Sequence, residues 1–90
     1  TCKDERSYAD LLEYWRDDGM SLLHPVCTCE MGIGTDAVVD PRLRVHGIER
    51  MRVADASIMP RIVTGNTNAA SIMIGEKAAA MILEDAGGFA

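Results

Sequence analysis

Apolar positions change their spacing along this chain, and the changes divide it into elements. Over residues 4–18, Tyr8, Leu11, Leu12 and Trp15 recur at i, i+3, i+4 and i+7, with Glu5, Arg6, Asp10, Glu13, Arg16 and Asp17 on the other faces. That spacing predicts an amphipathic helix laying one stripe on a core, with Gly19 as its stop. Ser21-Leu22-Leu23 reads as an extended lead-in, and Pro25 turns His24 away from helical geometry. Gly32 to Asp36 is a turn, Val38-Val39-Asp40-Pro41 a brief strand ended by proline, and Leu43 to Gly47 a second short strand. Met51-Arg52-Val53-Ala54 reads as a short buried strand. A loop with Pro60, Gly65 and two asparagines follows, and residues 69–84 form a helix. Residues 69–75 carry no charge. A helix start without a polar face predicts burial on all sides, with the positive end of its dipole open to an electron-rich partner. Asn68 is the expected N-cap, and residues 86–90 read as a frayed end.

Composition narrows the class. At 90 residues the chain is one small domain or part of a larger one. With 48% hydrophobic and 26% charged residues it is too apolar for a disordered chain. A net charge of −5 leaves no basic footprint for nucleic acid or an anionic membrane, and no apolar run reaches the roughly 20 residues of a membrane span. The first residues, Thr1 to Arg6, have neither an initiator methionine nor the shape of a signal peptide, and read as the middle of a longer sequence or a processed end. Of three cysteines, Cys27 and Cys29 are too close for a relaxed disulfide on an extended chain. Reduced thiols follow, which favours a cytoplasmic location slightly over an oxidising one.

Two apparent motifs fail on context. Gly32-Ile33-Gly34-Thr35-Asp36-Ala37 matches G-x-G-x-x-A, but no parallel strand precedes it and Val38-Val39-Asp40-Pro41 cannot open a helix. His24, Cys27 and Cys29 are spaced more tightly than a structural zinc site, and no second pair completes the ligands, so no metal is expected. The remaining chemistry-bearing residues each have two readings. His24 is a hydrogen-bonded core histidine or a general base, for which an ordinary imidazole pKa of about 6.5 is suited. Asn66 beside Gly65 is a turn residue or a hydrogen-bonding group in a site. Asp55 and Ala56, at the end of the expected strand, cap the next turn or contact a ligand.

Residues 53–60 (V-A-D-A-S-I-M-P) followed by 65–79 (G-N-T-N-A-A-S-I-M-I-G-E-K-A-A) resemble the C-terminal signature of the glucose–methanol–choline family of flavin-dependent alcohol oxidases and dehydrogenases. Residues 24–32 (H-P-V-C-T-C-E-M-G) resemble that family's second C-terminal landmark, and residues 38–48 fit the segment between the two. The matches keep the family's order and spacing from residue 22 to 83.

The resemblance implies an α/β fold: the C-terminal piece of a flavin-binding, Rossmann-like domain, built as strand, loop and buried helix, plus a loop-rich segment bordering the substrate domain. Residues 1–21 would be an amphipathic helix and linker, 22–49 the active-site histidine segment, 50–85 the strand, loop and helix of the FAD domain, and 86–90 a tail. The implied catalytic residues are His24, which takes or stabilises the alcohol proton as hydride leaves for flavin N5, and Asn66, which faces it across the substrate. Contacts to FAD would come from Asp55 and Ala56 toward the ribityl–pyrophosphate part, and from the helix end at Asn66, Thr67 and Asn68 toward the pyrimidine edge. The implied partners are the remainder of the flavoprotein, with its nucleotide-binding glycine loop, an alcohol, and oxygen or a quinone-type acceptor. The alternative is a non-catalytic, partner-binding module derived from the same family.

Three positions depart from the family's pattern. Cys27 stands where glycine is usual, predicting strain if the backbone there has positive φ. Glu30 replaces a basic residue, and Ala70-Ser71 replaces proline–threonine.

Overall fold

The computed structural model describes residues 6–88, which contain helix α1 (Tyr8–Asp18), a short 3-10 helix (Ala56–Ile58) and helix α2 (Thr67–Asp85). The first cysteine and the acidic start of the expected first helix lie outside the described residues.

Helix α1 starts at a capping box. The Ser7 hydroxyl accepts from the Asp10 amide at 3.3 Å, and the Asp10 carboxylate accepts from the Ser7 amide at 2.9 Å. Gly19 ends the helix as its sequence predicts, donating its amide to the Trp15 carbonyl at 3.1 Å. Its φ of −64° is open to any residue. Glycine is needed because a Cβ there would collide with the Trp15 carbonyl oxygen. The expected docking of the apolar stripe is not met within the described residues. No residue of α1 is buried, and Tyr8 and Trp15 are 81% and 68% exposed.

The expected short strands are reduced to single bridges. Val39, fully buried, pairs in parallel with Met31 and antiparallel with Val45, while Arg44 pairs with Arg52. Proline and turn residues interrupt each run before a ladder can extend. The Asp40 carboxylate gathers the amides of Arg42 and Arg44 at 2.8 and 3.0 Å into a tight turn, which limits Val38-Val39-Asp40-Pro41 to one bridge residue. In the expected 51–54 strand only Arg52 bridges; Val53 adds one amide bond to the Leu43 carbonyl at 3.1 Å. Strands need neighbours that pair over several residues, and the described residues supply only single bridges. The Rossmann-like strand is therefore absent among them, and the observed architecture is two helices around bridged loops.

Helix α2 begins at Thr67 with Asn66 as N-cap, two residues earlier than expected. Asn68 thus lies in the first turn and is not the cap. At the other end, Gly87 and Gly88, with φ of 94° and 72°, close the helix, Gly88 donating to the Leu83 carbonyl at 2.7 Å. The expected fray begins as an ordered cap, and residues 89–90 lie outside the described residues.

Burial of α2 is one-sided, contrary to its sequence. Ile74 and Ala78, four residues apart, pack with Val39, Leu43, Ile58 and Met59 as the core. The opposite face leaves Ile72 61% and Met73 53% exposed. Among the described residues no element covers that face, so its apolar character stands unpartnered there. Full burial of a side chain such as Ile74 contributes about 2 kcal/mol, and the six buried among the described residues make a small core. The Cα radius of gyration, 19.1 Å, compares with about 12 Å for a compact chain of this length.

Polar contacts hold the far end of α2. Arg42 donates to Asp85 Oδ1 at 2.8 Å, to Glu84 at 3.1 Å and to the Met81 carbonyl at 3.1 Å. Arg52 pairs with the other Asp85 oxygen and reaches the Arg42 carbonyl. Two acidic side chains at a helix C-terminus face the negative end of the dipole, and the two arginines offset that charge.

Candidate active site

The segment that carries His24 meets the start of α2. Leu23, at φ 61°, reverses the chain ahead of His24, and its amide donates to the Ser21 hydroxyl at 3.1 Å. His24 follows, half-buried, with Pro25 behind it. Its ring nitrogen Nδ1 lies 3.1 Å from Thr67 Oγ1, across 43 residues of sequence. Downstream, the Cys29 amide donates to the Ser57 carbonyl at 3.0 Å and the Met31 amide to the Ile58 carbonyl at 2.9 Å. These bonds tie the histidine segment to the 3-10 helix that follows Asp55. The segment from His24 to Met31 therefore touches the first residue of α2 at one end and the turn after Asp55 at the other.

Each sequence-predicted residue has a definite place. Asn66 is exposed at the N-cap with φ −61° and ψ 147°, and its side chain makes no cap bond. Its amide is consequently free to donate and to accept. Thr67 is half-buried and Asn68 exposed, both in the first turn. Backbone N–H groups in that turn have no intrahelical acceptor, and with no side-chain cap they stay open. The Asp55 carboxylate is engaged locally: Oδ1 accepts from the Ser57 amide at 2.7 Å and from the Ser57 hydroxyl at 2.5 Å. The Ser57 hydroxyl, then its amide, holds the Asp55 carboxyl below the usual aspartate range. That is a cap for the 3-10 helix, whose first residue is Ala56, half-buried.

Cys27 has φ 76°, the left-handed geometry in which a cysteine at a position where glycine is usual carries strain. Its Sγ lies 3.6 Å from Glu30 Oε2 and 3.7 Å from the Pro60 carbonyl oxygen. Cys27 and Cys29 are both free thiols. Among the described residues no three His, Cys, Asp or Glu side chains converge as a metal site, and no helix is long and apolar enough to cross a membrane. An open cleft of about 690 Å³, lined by Asp40, His46, Glu49 and Arg50 among others, shares no residue with the His24 site. The sequence reading did not single out the Thr67 side chain as the partner of His24. The available signal was a threonine at the first position of a helix start, which is common enough to pass unnoticed.

Comparison with known proteins supplies the family. Residues 1–75 match the C-terminal family model described as GMC oxidoreductase. The chain belongs to this family. Among its relatives, the oxygen-dependent choline dehydrogenase of Klebsiella pneumoniae is 55% identical over 74 residues, 82% of this chain and 13% of the relative. The oxygen-dependent choline dehydrogenase of Escherichia coli is 57% identical over 70 residues, 78% of this chain and 12% of the relative. The chain spans about an eighth of the length of these GMC relatives. His24, Asn66 and Thr67 all fall within the residues that the GMC model matches.

Proposed function

We propose that this chain supplies the active-site histidine and the cofactor-facing helix end of an FAD-dependent alcohol oxidoreductase. It works with the remainder of that flavoprotein, which carries the nucleotide-binding glycine loop. Residues 22–49 serve as the histidine segment and 50–85 as the flavin-domain segment, with 1–21 and 86–90 flanking them. The observation that supports this reading most directly is the contact of 3.1 Å between His24 Nδ1 and Thr67 Oγ1, which brings the two family signatures together.

The donor set at the start of α2 fits an electron-rich ring edge. The helix has 19 residues, its first-turn amides carry no side-chain cap, and its dipole is positive at that end. Thr67 and Asn68 would hold the group through those amides, with Asn66 beside them. The Asp55 carboxylate is committed to Ser57, so contacts from that turn would come from the main chain of Asp55 and Ala56. Bound FAD would supply acceptance of two electrons as hydride from the alcohol carbon, and oxygen or a quinone-type acceptor would take them on.

The chain's own residues do the rest. His24 accepts the proton of the substrate hydroxyl at Nε2, the nitrogen not in contact with Thr67. Asn66 donates its side-chain amide to the substrate oxygen and fixes the orientation of the reacting carbon. The relatives' name makes choline the first alcohol to test. A quaternary ammonium group is usually held over aromatic faces. Tyr8, Tyr14 and Trp15 all lie on α1, so the ammonium pocket would be built by other parts of the protein.

The test is anaerobic mixing of the complete flavoprotein with choline and other alcohols, following loss of the oxidised flavin band. His24→Ala should slow reduction by about 10²–10⁴-fold, the usual range for a general base, with little change in bound flavin. Unchanged reduction would remove His24 from the mechanism. The exposed stripe on α1 and the uncovered face of α2 support a second reading, a partner-binding module without chemistry. A colourless complex that binds no flavin would favour it.

A further inference from the structure

We infer that Thr67 is a positioning residue that selects the tautomer of His24. Its hydroxyl oxygen accepts a hydrogen bond from Nδ1–H and leaves the lone pair on Nε2. This inference rests on the reading that His24 takes the alcohol proton.

A neutral imidazole carries one N–H and one lone pair, and the partner at one nitrogen decides what the other can do. Among the described residues, Thr67 is the one side chain in hydrogen-bond contact with the His24 ring. A proton on Nδ1 makes Nε2 a base, whereas a threonine hydroxyl donating to Nδ1 would put the proton on Nε2 and disable it. Only the first arrangement is compatible with proton removal from an alcohol. In water the Nε2–H form of histidine predominates, so the protein has to select the other.

Thr67 is well placed to do this. It opens a 19-residue helix, and its carbonyl accepts from the Ser71 hydroxyl at 2.8 Å. A β-branched side chain has few χ1 options there. His24 and Thr67 are both half-buried, which limits competition from water for the bond. The device is electrically neutral: unlike an aspartate partner, a hydroxyl selects the tautomer without adding charge beside the substrate.

The test uses the complete flavoprotein with ¹⁵N-labelled histidine, the His24 signals being assigned by their loss in His24→Gln. The wild-type ring should show protonated Nδ1 and unprotonated Nε2. Thr67→Val removes the hydroxyl at nearly constant shape. It should move the ring toward the Nε2–H form and slow flavin reduction about tenfold, the scale of one neutral hydrogen bond, with KM and flavin content unchanged. Thr67→Ser should restore both the ring signals and the rate. A wild-type ring in the Nε2–H form overturns the assignment without any variant. So does a Thr67→Val protein with wild-type ring signals and rate. If Thr67 fails in these ways while His24→Gln still abolishes reduction, the role of Thr67 alone falls. If His24→Gln reduces flavin normally, the underlying reading falls and the role of Thr67 falls with it.

Discussion

The thiol of Cys27 lies 3.6 Å from the carboxylate of Glu30, so two of the positions that depart from the family's pattern touch each other. Desolvation pushes the Cys27 thiol above the usual cysteine range, and the charge of Glu30 and the hydrogen bond that the thiol donates to its carboxylate push in the same direction. A raised thiol pKa means less thiolate at neutral pH and slower reaction with electrophiles. Alkylation of Cys27 by iodoacetamide at pH 8, followed by peptide mass analysis, should therefore be slow for an exposed cysteine. Glu30→Lys should accelerate it by replacing a repulsive charge with an attractive one. Equal rates in the two proteins would show that Glu30 does not govern the thiol.

Cys27 also carries a backbone cost. Its φ of 76° is the left-handed region, which an L side chain occupies at a penalty and glycine does not. Cys27→Gly should stabilise the protein, since relief of that strain outweighs the added freedom of glycine in the unfolded chain. The expected gain is an unfolding midpoint higher by about 2 °C in the complete protein. A lower midpoint would mean that the contacts of Sγ with Glu30 and Pro60 outweigh the strain.

The features legible in the sequence were those decided locally. The periodicity of Tyr8, Leu11, Leu12 and Trp15 located α1 and Gly19 its end, while the landmark pattern marked Cys27 as a position where a positive φ would carry strain. Apolar runs at 38–41 and 51–54 have strand composition, but pairing depends on partners elsewhere, and only Val39 and Arg52 find one. The start of α2 was misplaced because Asn66 and Asn68 are both good N-cap types, and composition does not choose between them. The meeting of His24 with Thr67, and of Arg42 and Arg52 with Asp85, depends on chain reversals tens of residues apart, which local spacing does not encode.

Asp85 makes the stability of α2 depend on acid. Hydrogen bonds from Arg52, then Arg42, hold its carboxyl below the usual range despite partial desolvation. Its folded pKa is thus lower than its unfolded one, near 3.9. The stabilisation is fully present above the unfolded value and is lost as pH falls through the folded value, where the unfolded chain binds the extra proton. Thermal unfolding followed by circular dichroism should show a falling midpoint below about pH 4. Asp85→Asn should lower the midpoint at neutral pH and flatten that slope. Some slope should remain, because Asp55 is depressed in the same sense by Ser57. An unchanged slope in Asp85→Asn would place the acid sensitivity elsewhere.

Asn66 stands next to Thr67, and under the proposed function its task differs from that of His24. Its side chain makes no cap bond, so replacing it should cost the helix little and act mainly on substrate orientation. An amide does not take up a proton near neutral pH, and the loss on Asn66→Ala is therefore one of positioning. Flavin reduction by alcohol in the complete flavoprotein should fall about 10–100-fold, as for loss of an orienting hydrogen bond to a developing charge. The loss should be smaller than in His24→Ala, and flavin content should stay close to wild type. Asn66→Asp is the sharper probe. It places a carboxylate against the developing negative charge on the substrate oxygen, so reduction should be slower than in Asn66→Ala. If Asn66→Ala is as damaging as His24→Ala, or if Asn66→Asp is the more active variant, the division of work between proton acceptor and orienting group must be reversed.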